Sequence, residues 1–481
     1  MPATVPIPWP TSSAPGAHPQ ESGGRLINCA AEPLGDASPV KVVWRRQPGL
    51  SVFTDLLLTN YRGAILVNNL LYVAVGGKIV TVDSAGVVNV AGNLPGTAKV
   101  TFARNNAATP DIQCVSPGDG AFAVTAVSVT AFTGGGNLPA PTAVCGMDGY
   151  FFWLIGDNRI FAAGPNSTTV NSLTFVTMQS RPVGNALRVV PYQGYLFAFA
   201  TKFIEVYSNT ANAFPAFPFT RQTVIDFGLF GRNAIAGWED GFGQLAWVAD
   251  DFGTYMLNGT APTKISPPDL DRLVEALGDA NADLLEASVY HVGGKSFFVL
   301  SCPSWTWEFN INSQKWNERD SFNAGLYQRW RATLSVNAFG KWLTGDQQSS
   351  KLLYVDPTTF QDVGSPMRMR MESAAVTTFP NRSQISRADF NWITGVGISS
   401  SNTQTGNDPQ VSIACSRDDG TSWDNPRLRK LGKTAAGRSV YVTNCGMSGA
   451  AAQGPRFRQD ITDEVYGAFM GATMSSDPRA Q

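Results

Sequence analysis

The chain contains little histidine and little charge. Only two of its 481 residues are histidines, His18 and His291, and charged residues make up 15%. Two widely separated histidines offer almost no ligands or bases for a histidine-rich metal site or a histidine-dependent triad. The formal net charge is −1, so no overall field attracts nucleic acid or an anionic membrane. We therefore predict no metal, no cofactor and no catalytic residues.

The cysteines are few and far apart, and none forms a Cys-x-x-Cys pair. They are Cys29, Cys114, Cys145, Cys302, Cys415 and Cys445. Four of them lie in or beside apolar runs typical of strands. This pattern favours buried free thiols over a disulfide framework or a zinc site.

Long apolar runs are also missing. None approaches the ~20 residues that a membrane-spanning helix needs. The first residues, "MPATVPIPWPTSSAPG", have neither the basic start nor the apolar core of a signal peptide. We expect a chain without a membrane anchor that is made and kept in a cytoplasm.

Glycine and proline are abundant, with 47 and 30 residues, while hydrophobic residues still supply 43% and aromatic residues 11%. This composition indicates a folded chain with many turns, because a disordered chain would contain fewer apolar and aromatic residues.

Most of the chain repeats one unit of short apolar strands separated by turns. The clearest copy is "GAILVNNLLYVAVGGKIVTVDSAGVVNVAG" at 63–92, where Asn-Asn and Gly-Gly are hairpin signals. Further copies lie at 112–132, 144–164, 187–210, 234–259, 287–316 and 330–356. We take the last strand of each of five clear copies as a marker. These strands begin near Arg159, Phe203, Thr254, Trp305 and Lys351, with spacings of 44, 51, 51 and 46 residues.

A period of about 40–50 residues built from antiparallel strands is typical of a β-propeller. We predict an all-β fold with six to seven blades over 41–365 and an inserted helix at 267–278, "PPDLDRLVEALG". A β-sandwich is the alternative, although it would not repeat at this period.

The period is lost after residue 365, and we predict a small appended antiparallel β-domain over 366–481, irregular toward its end. Within it, "MRMRMESAAVTTF" at 367–379 alternates Met and Arg, which places the methionines on one strand face and the arginines on the other. Residues 1–40 are rich in proline and are predicted to form an extended arm.

The segment "SRDDGTSW" at 416–423 fits the pattern Ser-x-Asp-x-Gly-x-x-Trp, known as the Asp box of sialidase blades. The four pattern residues are Ser416, Asp418, Gly420 and Trp423. Asp and Ser accept backbone N–H bonds in such a turn, Gly tolerates positive φ, and Trp packs against the hairpin base. The box occurs once and outside the repeats, so it indicates a structural turn.

A sialidase-like enzyme remains the alternative from another class, but it would need an arginine triad and a Tyr–Glu nucleophile pair. Neighbouring acids such as Asp250–Asp251 are typical of solvated turns, and a glycosidase pair is defined by a spatial separation that sequence does not show. We predict that the chain is not an enzyme.

Two N-terminal segments resemble the opening of one family. "ESGGRLINCAAEPLG" (21–35) contains Arg25, Asn28 and Glu32, and "VVWRRQPGLSVF" (42–53) contains Arg46, Pro48, Gly49 and Leu50. Both are similar to the packaged-DNA stabilisation proteins, or tail hub and nozzle proteins, of short-tailed phages. The resemblance continues at 194–210, at 345–360 and in the strands from "VSIACSRDDGTSW" to "GRSVYVTNCG". "NCAAEP" departs from it, because we expect an aromatic residue in place of one alanine.

The resemblance implies a structural virion protein of the phage tail, assembled in the cytoplasm of the bacterial host. Such a subunit forms a homohexameric ring below the portal and adaptor proteins. The ring extends the DNA channel, helps to retain and later release packaged double-stranded DNA, and is closed below by a needle, spike, plug or fibre protein. A near-neutral surface suits DNA that slides through without sequence-specific binding.

The two segments outside the repeats, 1–40 and 366–481, are candidates for contacts between subunits. Both lack the blade period, and we expect the arm and the appended domain to clamp neighbouring subunits. A fibre or adhesin adaptor of the tail is the alternative within the same class of virion proteins.

Overall fold

A computed structural model describes residues 3–179, 184–377, 381–398, 404–448 and 454–479. The first strands of the chain are β1 (Ala3–Ile7), β2 (Arg25–Ile27), β3 (Cys29–Pro33), β4 (Val42–Arg46) and β5 (Gly49–Asp55). A 3₁₀ turn at Pro19–Glu21 lies between β1 and β2.

Six consecutive groups of four antiparallel strands follow, each a blade of a propeller. The first five are separate sheets, and the sixth is part of a larger sheet. Blades 1 to 3 comprise β6 (Tyr61–Val67), β7 (Leu70–Val75), β8 (Lys78–Val82), β9 (Val88–Asn93), β10 (Thr101–Arg104), β11 (Ile112–Ser116), β12 (Gly120–Val124), β13 (Val129–Phe132), β14 (Pro141–Met147), β15 (Tyr150–Ile155), β16 (Arg159–Ala163) and β17 (Val170–Thr177). Blades 4 to 6 comprise β18 (Ala186–Tyr192), β19 (Tyr195–Ala200), β20 (Ile204–Asn209), β21 (Phe219–Ile225), β22 (Ile235–Ala236), β23 (Ala246–Val248), β24 (Thr254–Asn258), β25 (Ala261–Lys264), β26 (Glu286–Val292), β27 (Lys295–Ser301), β28 (Thr306–Asn310) and β29 (Lys315–Glu318).

The connections between blades carry the remaining short elements of the propeller. A 3₁₀ turn at Gly134–Gly136 follows β13. Helix α1 (Pro268–Leu277), followed by a 3₁₀ turn at Asp279–Leu284, connects blades 5 and 6. The helix confirms the predicted insertion, and it buries Leu270 and Val274. A hairpin of β30 (Asp320–Asn323) and β31 (Leu326–Arg329) follows blade 6.

The seventh blade joins the two ends of the propeller sequence. It consists of β32 (Ala332–Ala338), β33 (Lys341–Asp346), β34 (Lys351–Asp356) and, as its fourth strand, β5. Its innermost strand packs against blade 1, where Tyr61 lies so close to Gly345 that an added Cβ would be 2.1 Å from the ring. The described chain therefore forms a closed ring of seven blades, at the upper end of the predicted number.

The blade strands are apolar because neighbouring blades cover both of their faces. In β7 every residue after Leu70 is buried, including Leu71, Val73 and Val75. The predicted hairpin signal Asn68–Asn69 adopts positive φ angles of 48° and 59° at its two residues. Asparagine tolerates this conformation, which matches the twist of the flanking strands.

The rest of the chain forms a two-layered β-sandwich. Two short strands, β35 (Gln361–Asp362) and β36 (Ser365–Pro366), extend the sheet of blade 7 and precede the later sandwich elements. These elements are β37 (Met369–Glu372), β38 (Arg382–Trp392), α2 (Gln404–Asn407), β39 (Gln410–Ser416), β40 (Arg427–Lys430), β41 (Val440–Met447), β42 (Arg456–Ile461) and β43 (Ala468–Arg479). One layer has the order β3-β4-β43-β38-β41, with β1 on β43, and the other has the order β2-β37-β42-β39-β40. Side chains of both layers share one core, in which the Phe390 and Phe457 ring centroids lie 5.7 Å apart.

The segment predicted as an extended arm, 1–40, contributes strands to the sandwich of its own chain. Strand β1 pairs with β43, β2 pairs with β29 and β37, and β3 pairs with β4 inside the sandwich. The apolar residues Ile7, Trp9 and Leu26 explain this, because they are buried in the sandwich core. Proline is compatible with such a peripheral strand, where a missing N–H costs little. The sandwich is therefore built from both ends of the described chain.

Two further predictions can be compared with the structure. All six cysteines are buried free thiols, as predicted. Within the described ranges, no helix is long and apolar enough to cross a membrane.

Candidate functional site at the junction of propeller and sandwich

The propeller and the sandwich share one continuous sheet, and the sheet of blade 7 extends through β35 and β36, which directly precede β37 of the sandwich. We call this region the junction. Strand β2 lies between β29 of blade 6 and β37 of the sandwich, which makes one nine-stranded sheet. Strand β5 lies between β34 of blade 7 and β35. The seven residues of the N-terminal resemblance all lie on or beside β2 to β5.

Arg25 connects the two bodies through its side chain as well as its backbone. Its Nε lies 3.0 Å from Glu318 Oε1, and its Nη2 lies 2.5 Å from Oε2. Glu318 ends the outer strand of blade 6, whereas the backbone of Arg25 pairs with Glu372 of the sandwich. The paired, two-point geometry fixes the angle between the groups as well as their distance.

Asn28 is completely buried, with a φ of 50°. Its Nδ2 donates to Oδ1 of Asp320 at 2.7 Å, to the backbone O of Asp320 at 3.0 Å and to the backbone O of Arg368 at 2.8 Å. Asp320 begins the hairpin after blade 6, and Arg368 leads into β37. One side chain therefore connects three segments that are far apart in sequence.

Glu32 forms a second ionic bridge across the junction. Its Oε2 lies 2.9 Å from Arg45 Nε and 2.7 Å from Nζ of Lys295, which begins β27 of blade 6. Partial burial alone would raise the pKa of Glu32, but the two cations hold it below its usual value. The carboxylate is therefore ionised at neutral pH and pairs with both bodies.

Arg46 is buried among backbone carbonyls of the C-terminal half. It donates to the carbonyl oxygens of Asp463, Val465 and Met367. Its guanidinium lies 5.6 Å from the ring centroid of Phe360. Burial lowers its pKa to about 10, so it remains a cation at neutral pH and satisfies carbonyls that no strand pairs.

Pro48, Gly49 and Leu50 lead the chain from the junction into the propeller. The Pro48 carbonyl accepts a hydrogen bond from Arg319 Nη2 at 3.0 Å. A Cβ on Gly49 would lie 2.1 Å from the backbone O of Gln361, so a side chain does not fit there. Leu50 is buried, and its carbonyl accepts the N–H of Val363 at 2.9 Å.

A buried ionic cluster extends from the junction under blades 6 and 7, and we did not predict it from the sequence. Arg319, with a fully buried side chain, lies 4.4 Å over the Trp330 ring and 3.5 Å from Glu308. Ser321 donates to Asp362 at 2.5 Å. Burial raises the pKa of Asp362, although neighbouring arginines oppose this. The only sequence signal is the dense polar run "NERDSFN" at 317–323, directly after a blade strand.

The Asp-box residues lie elsewhere, in the sandwich turn that follows β39. Ser416 Oγ donates to Asp418 Oδ1 at 2.8 Å and accepts the N–H of Gly420, also at 2.8 Å. Gly420 has a φ of 91°. The Arg458 guanidinium lies 4.8 Å from the centroid of the Trp423 ring. The four residues therefore form a hydrogen-bonded turn that is not part of a blade.

The polar groups of the junction residues form hydrogen bonds and ion pairs with one another and with backbone carbonyls. Among the described residues, no group of three or more His, Cys, Asp or Glu side chains could hold a metal ion. The arrangement fixes a seven-bladed ring and a sandwich as one block, which suits a mechanical part of an assembly.

Comparison with known proteins agrees with this. The model of a family described as phage stabilisation, Bacteriophage P22 Gp10, beta-propeller, matches residues 27–360. The match begins at the end of β2 and continues through all seven blades, and it includes six of the seven residues of the resemblance. A comparison with curated proteins found no match.

Two of the solved structures that match are distantly similar to this chain. The WD40 β-propeller domain of Doa1 has a TM-score of 0.38 and 7% identity, covering 64% of this chain and 96% of that one. The computationally designed Ika8 protein has a TM-score of 0.37 and 9% identity, covering 72% and 100%. The propeller assignment therefore rests on the sheets described above and on the family match. The chain belongs to the phage stabilisation family of P22 Gp10 β-propeller proteins, which are structural phage proteins.

Proposed function

We propose that this chain is the hub or nozzle subunit of a short phage tail, in a homohexameric ring below the portal and its adaptor. The ring extends the channel for packaged DNA, retains the genome and later lets it pass. A needle, spike, plug or fibre protein closes it from below. The family match supports a virion role, and the proposal adds the position in the tail.

The observation that carries the proposal is the way in which the two bodies are joined. Blade 6 continues through β2 into the sandwich, and blade 7 continues through β5 into β35. A hinge between them would require the pairing of β2 with β29 and β37, and the bridges of Arg25, Asn28 and Glu32, to break. A subunit with a fixed shape is what a closed ring needs, because small angular errors accumulate around a symmetric assembly.

The charge of the chain fits the proposed channel. Lys and Arg total 36 and Asp and Glu total 37, so positive and negative charges nearly balance. Each lysine or arginine contact to a phosphate adds salt-dependent affinity, and many of them would hold the DNA in place. A nearly neutral wall allows double-stranded DNA to move through without sequence-specific binding.

The experiment is to measure the mass of the purified chain by light scattering, alone and after mixing with phage tails that lack it. We expect about six copies per tail, since homo-oligomers close with point-group symmetry. A chain that is monomeric alone but adds to the tails still supports the proposal. A chain that stays monomeric and does not add to them contradicts it.

The same preparation also tests the alternative that the chain is a sialidase-like enzyme. We expect a fluorogenic sialoside to remain intact, because the Asp box is a turn in the sandwich and not part of a blade. Hydrolysis by a chain that fails to add to tails would favour the enzyme.

A further inference from the structure

The propeller encloses a cavity of about 310 Å³ along its axis. The lining comes from the innermost strands of all seven blades: β6, β10, β14, β18, β22, β26 and β32. Cavities of ~300 Å³ and above are the usual size for small-molecule sites. The cavity does not belong to the junction, so the question of an occupant is independent of the proposed function.

Charged groups lie at one end of the cavity, where the innermost strands begin. Lys99 Nζ lies 3.2 Å from Glu286 Oε1 and donates to the Tyr61 carbonyl at 2.8 Å. Arg329 lies 3.4 Å from the other oxygen of Glu286. Two cations share one carboxylate here, so this end of the cavity keeps a net positive charge that favours an anion.

The other end is covered by the turn at 237–245, which follows β22 of blade 5. Three other blades hold this turn. Tyr192 donates to the Gly243 carbonyl at 2.9 Å, and Asn337 donates to the Asp240 carbonyl at 3.1 Å. Nε2 of His291 lies 3.1 Å from the Gly241 carbonyl. The turn is therefore fixed over the axis, and it carries Trp238 and Glu239 into the cavity wall.

Arg188 on β18 also lines the cavity, with its guanidinium 5.3 Å from the Trp238 ring centroid. Its Nε is buried and has no hydrogen-bond partner. Among the described residues, no carboxylate lies within the 4.0 Å of an ion pair. Burial lowers the pKa of Arg188 to about 10, which still leaves it charged at neutral pH. The residue is half-buried, and the charge of Glu239 acts on it without a hydrogen bond between the two. A guanidinium has five N–H donors, so Arg188 keeps donors for an acceptor in the cavity.

Glu239 faces the same space. Its Oε2 accepts the N–H of Gly237 at 2.6 Å. Burial raises the pKa of Glu239 to about 7, so the acid and the carboxylate coexist near neutral pH. A carboxyl group in this state can donate a hydrogen bond to a hydroxyl or accept one from it.

We propose that the axial cavity binds a small hydroxylated anion of monosaccharide size, a sugar acid or a sugar phosphate. Its anionic group pairs with Arg188, and a hydroxyl group meets Glu239. Carboxylate and phosphate both match the planar fork of a guanidinium with two parallel hydrogen bonds. The ligand supplies the acceptors that the protein does not, and the cavity has room for one such molecule.

The test is isothermal titration of the full chain with D-glucuronate and with glucose 6-phosphate. Glucose, which has no charge, and acetate, which has no hydroxyl, serve as ligand controls. We expect one site for at least one of the two sugar anions and at least about tenfold weaker binding of both controls, because a charge-assisted pair or a hydroxyl contact is lost.

Variants then locate the site. We expect Arg188→Gln to weaken binding at least about tenfold and Arg188→Lys to weaken it less, because Lys keeps the charge but loses the fork. The matched control is Arg438→Gln, since Arg438 is an exposed arginine of the sandwich that does not line the cavity, and we expect it to bind normally. Circular dichroism establishes that each variant is folded.

The outcomes are decisive in either direction. Binding by neither sugar anion, equal binding of glucose, or binding that survives Arg188→Gln overturns the proposal. If Arg188→Gln fails to fold, the comparison of Arg188→Lys with Arg438→Gln decides. Comparison of glucuronate with glucose 6-phosphate shows whether the site prefers a carboxylate or a phosphate.

Discussion

Single residues at the junction perform tasks that their neighbours in sequence do not reveal. In the sequence, Asn28 is an ordinary polar residue between two short strands. In the structure it is completely buried, and its side chain donates hydrogen bonds to both Asp320 and Arg368. The resemblance indicated its position, but no sequence pattern indicated its partners. Those partners lie 292 and 340 residues away, and a local pattern carries no information over that distance.

We expect Asn28→Ala to destabilise the protein by about 2–4 kcal/mol, because it leaves buried acceptors without donors and strains a positive φ. Urea unfolding measures the change. The control is Asn68→Ala, which has a similar φ of 48° in an exposed turn. It isolates the strain, and we expect about 1 kcal/mol for it. Equal losses in the two variants would show that the hydrogen bonds of Asn28 add nothing.

Glu239 predicts a pH dependence. Its folded pKa, raised by burial to about 7, lies above the value of 4.5 for an unperturbed glutamate. The folded state therefore binds the proton more tightly, and ionisation of Glu239 costs stability as the pH rises from about 5 to 8. Glu239→Gln removes this cost.

We expect the Gln variant to match the wild type near pH 5 and to exceed it by about 1–3 kcal/mol near pH 8. The melting temperatures of both proteins, measured across this pH range, report the difference in stability. Other titrating groups are present in both proteins, so their contributions cancel in this difference. Exposed Glu275 on α1 provides the control Glu275→Gln. A constant difference across the range would contradict the burial of the Glu239 carboxyl group.

At the scale of elements, local sequence patterns predicted strands and turns correctly where neighbouring residues determine the structure. The methionines of the Met-Arg segment are buried, while Arg368 and Arg370 pair with Asp320 and Asp460. The marker strands proved to be the third strands of their blades, not the last. The fourth strands, such as β21, were missed because they lie at the rim and are mostly exposed, so they have no continuous apolar run.

A substitution at Gly49, at the start of β5, tests whether the junction depends on the close approach of the β5 and β35 backbones. We expect Gly49→Ala to cost at least about 3 kcal/mol, because the new methyl group would overlap the Gln361 carbonyl and force two strands apart. The control Gly77→Ala lies in a blade turn where the nearest atom would be 4.0 Å away. We expect about 1 kcal/mol or less there. Chemical unfolding compares the two, and equal effects would contradict the close approach.

At the scale of the whole molecule, the period of the repeat was sufficient to predict the propeller, and composition was not sufficient to predict the sandwich. The residues that build the sandwich come from 3–46 and from 369–479, and β1 pairs with β43 across almost the entire chain. Proline-rich segments indicate extended structure without indicating a partner. The segment predicted as an arm is therefore part of a sheet, because β43, which is distant in sequence, pairs with β1.

This interweaving predicts that propeller and sandwich unfold together. In differential scanning calorimetry we expect one transition whose calorimetric and van't Hoff enthalpies agree. The double variant Glu32→Ala/Glu318→Ala removes the ion pairs with Lys295 and Arg25 that cross the junction. We expect it to lower the van't Hoff enthalpy relative to the calorimetric one, because the two bodies then unfold less cooperatively.

The matched control is Asp157→Ala/Asp389→Ala, which removes two ion pairs that lie within one body each, with Arg159 and Arg387. It should keep a single transition. Two resolved transitions in the wild type would mean that the sheets running from blade 6 and blade 7 do not couple the bodies. A hub subunit of fixed shape would then have to gain its rigidity from its neighbours in the ring, and the junction would be only a tether.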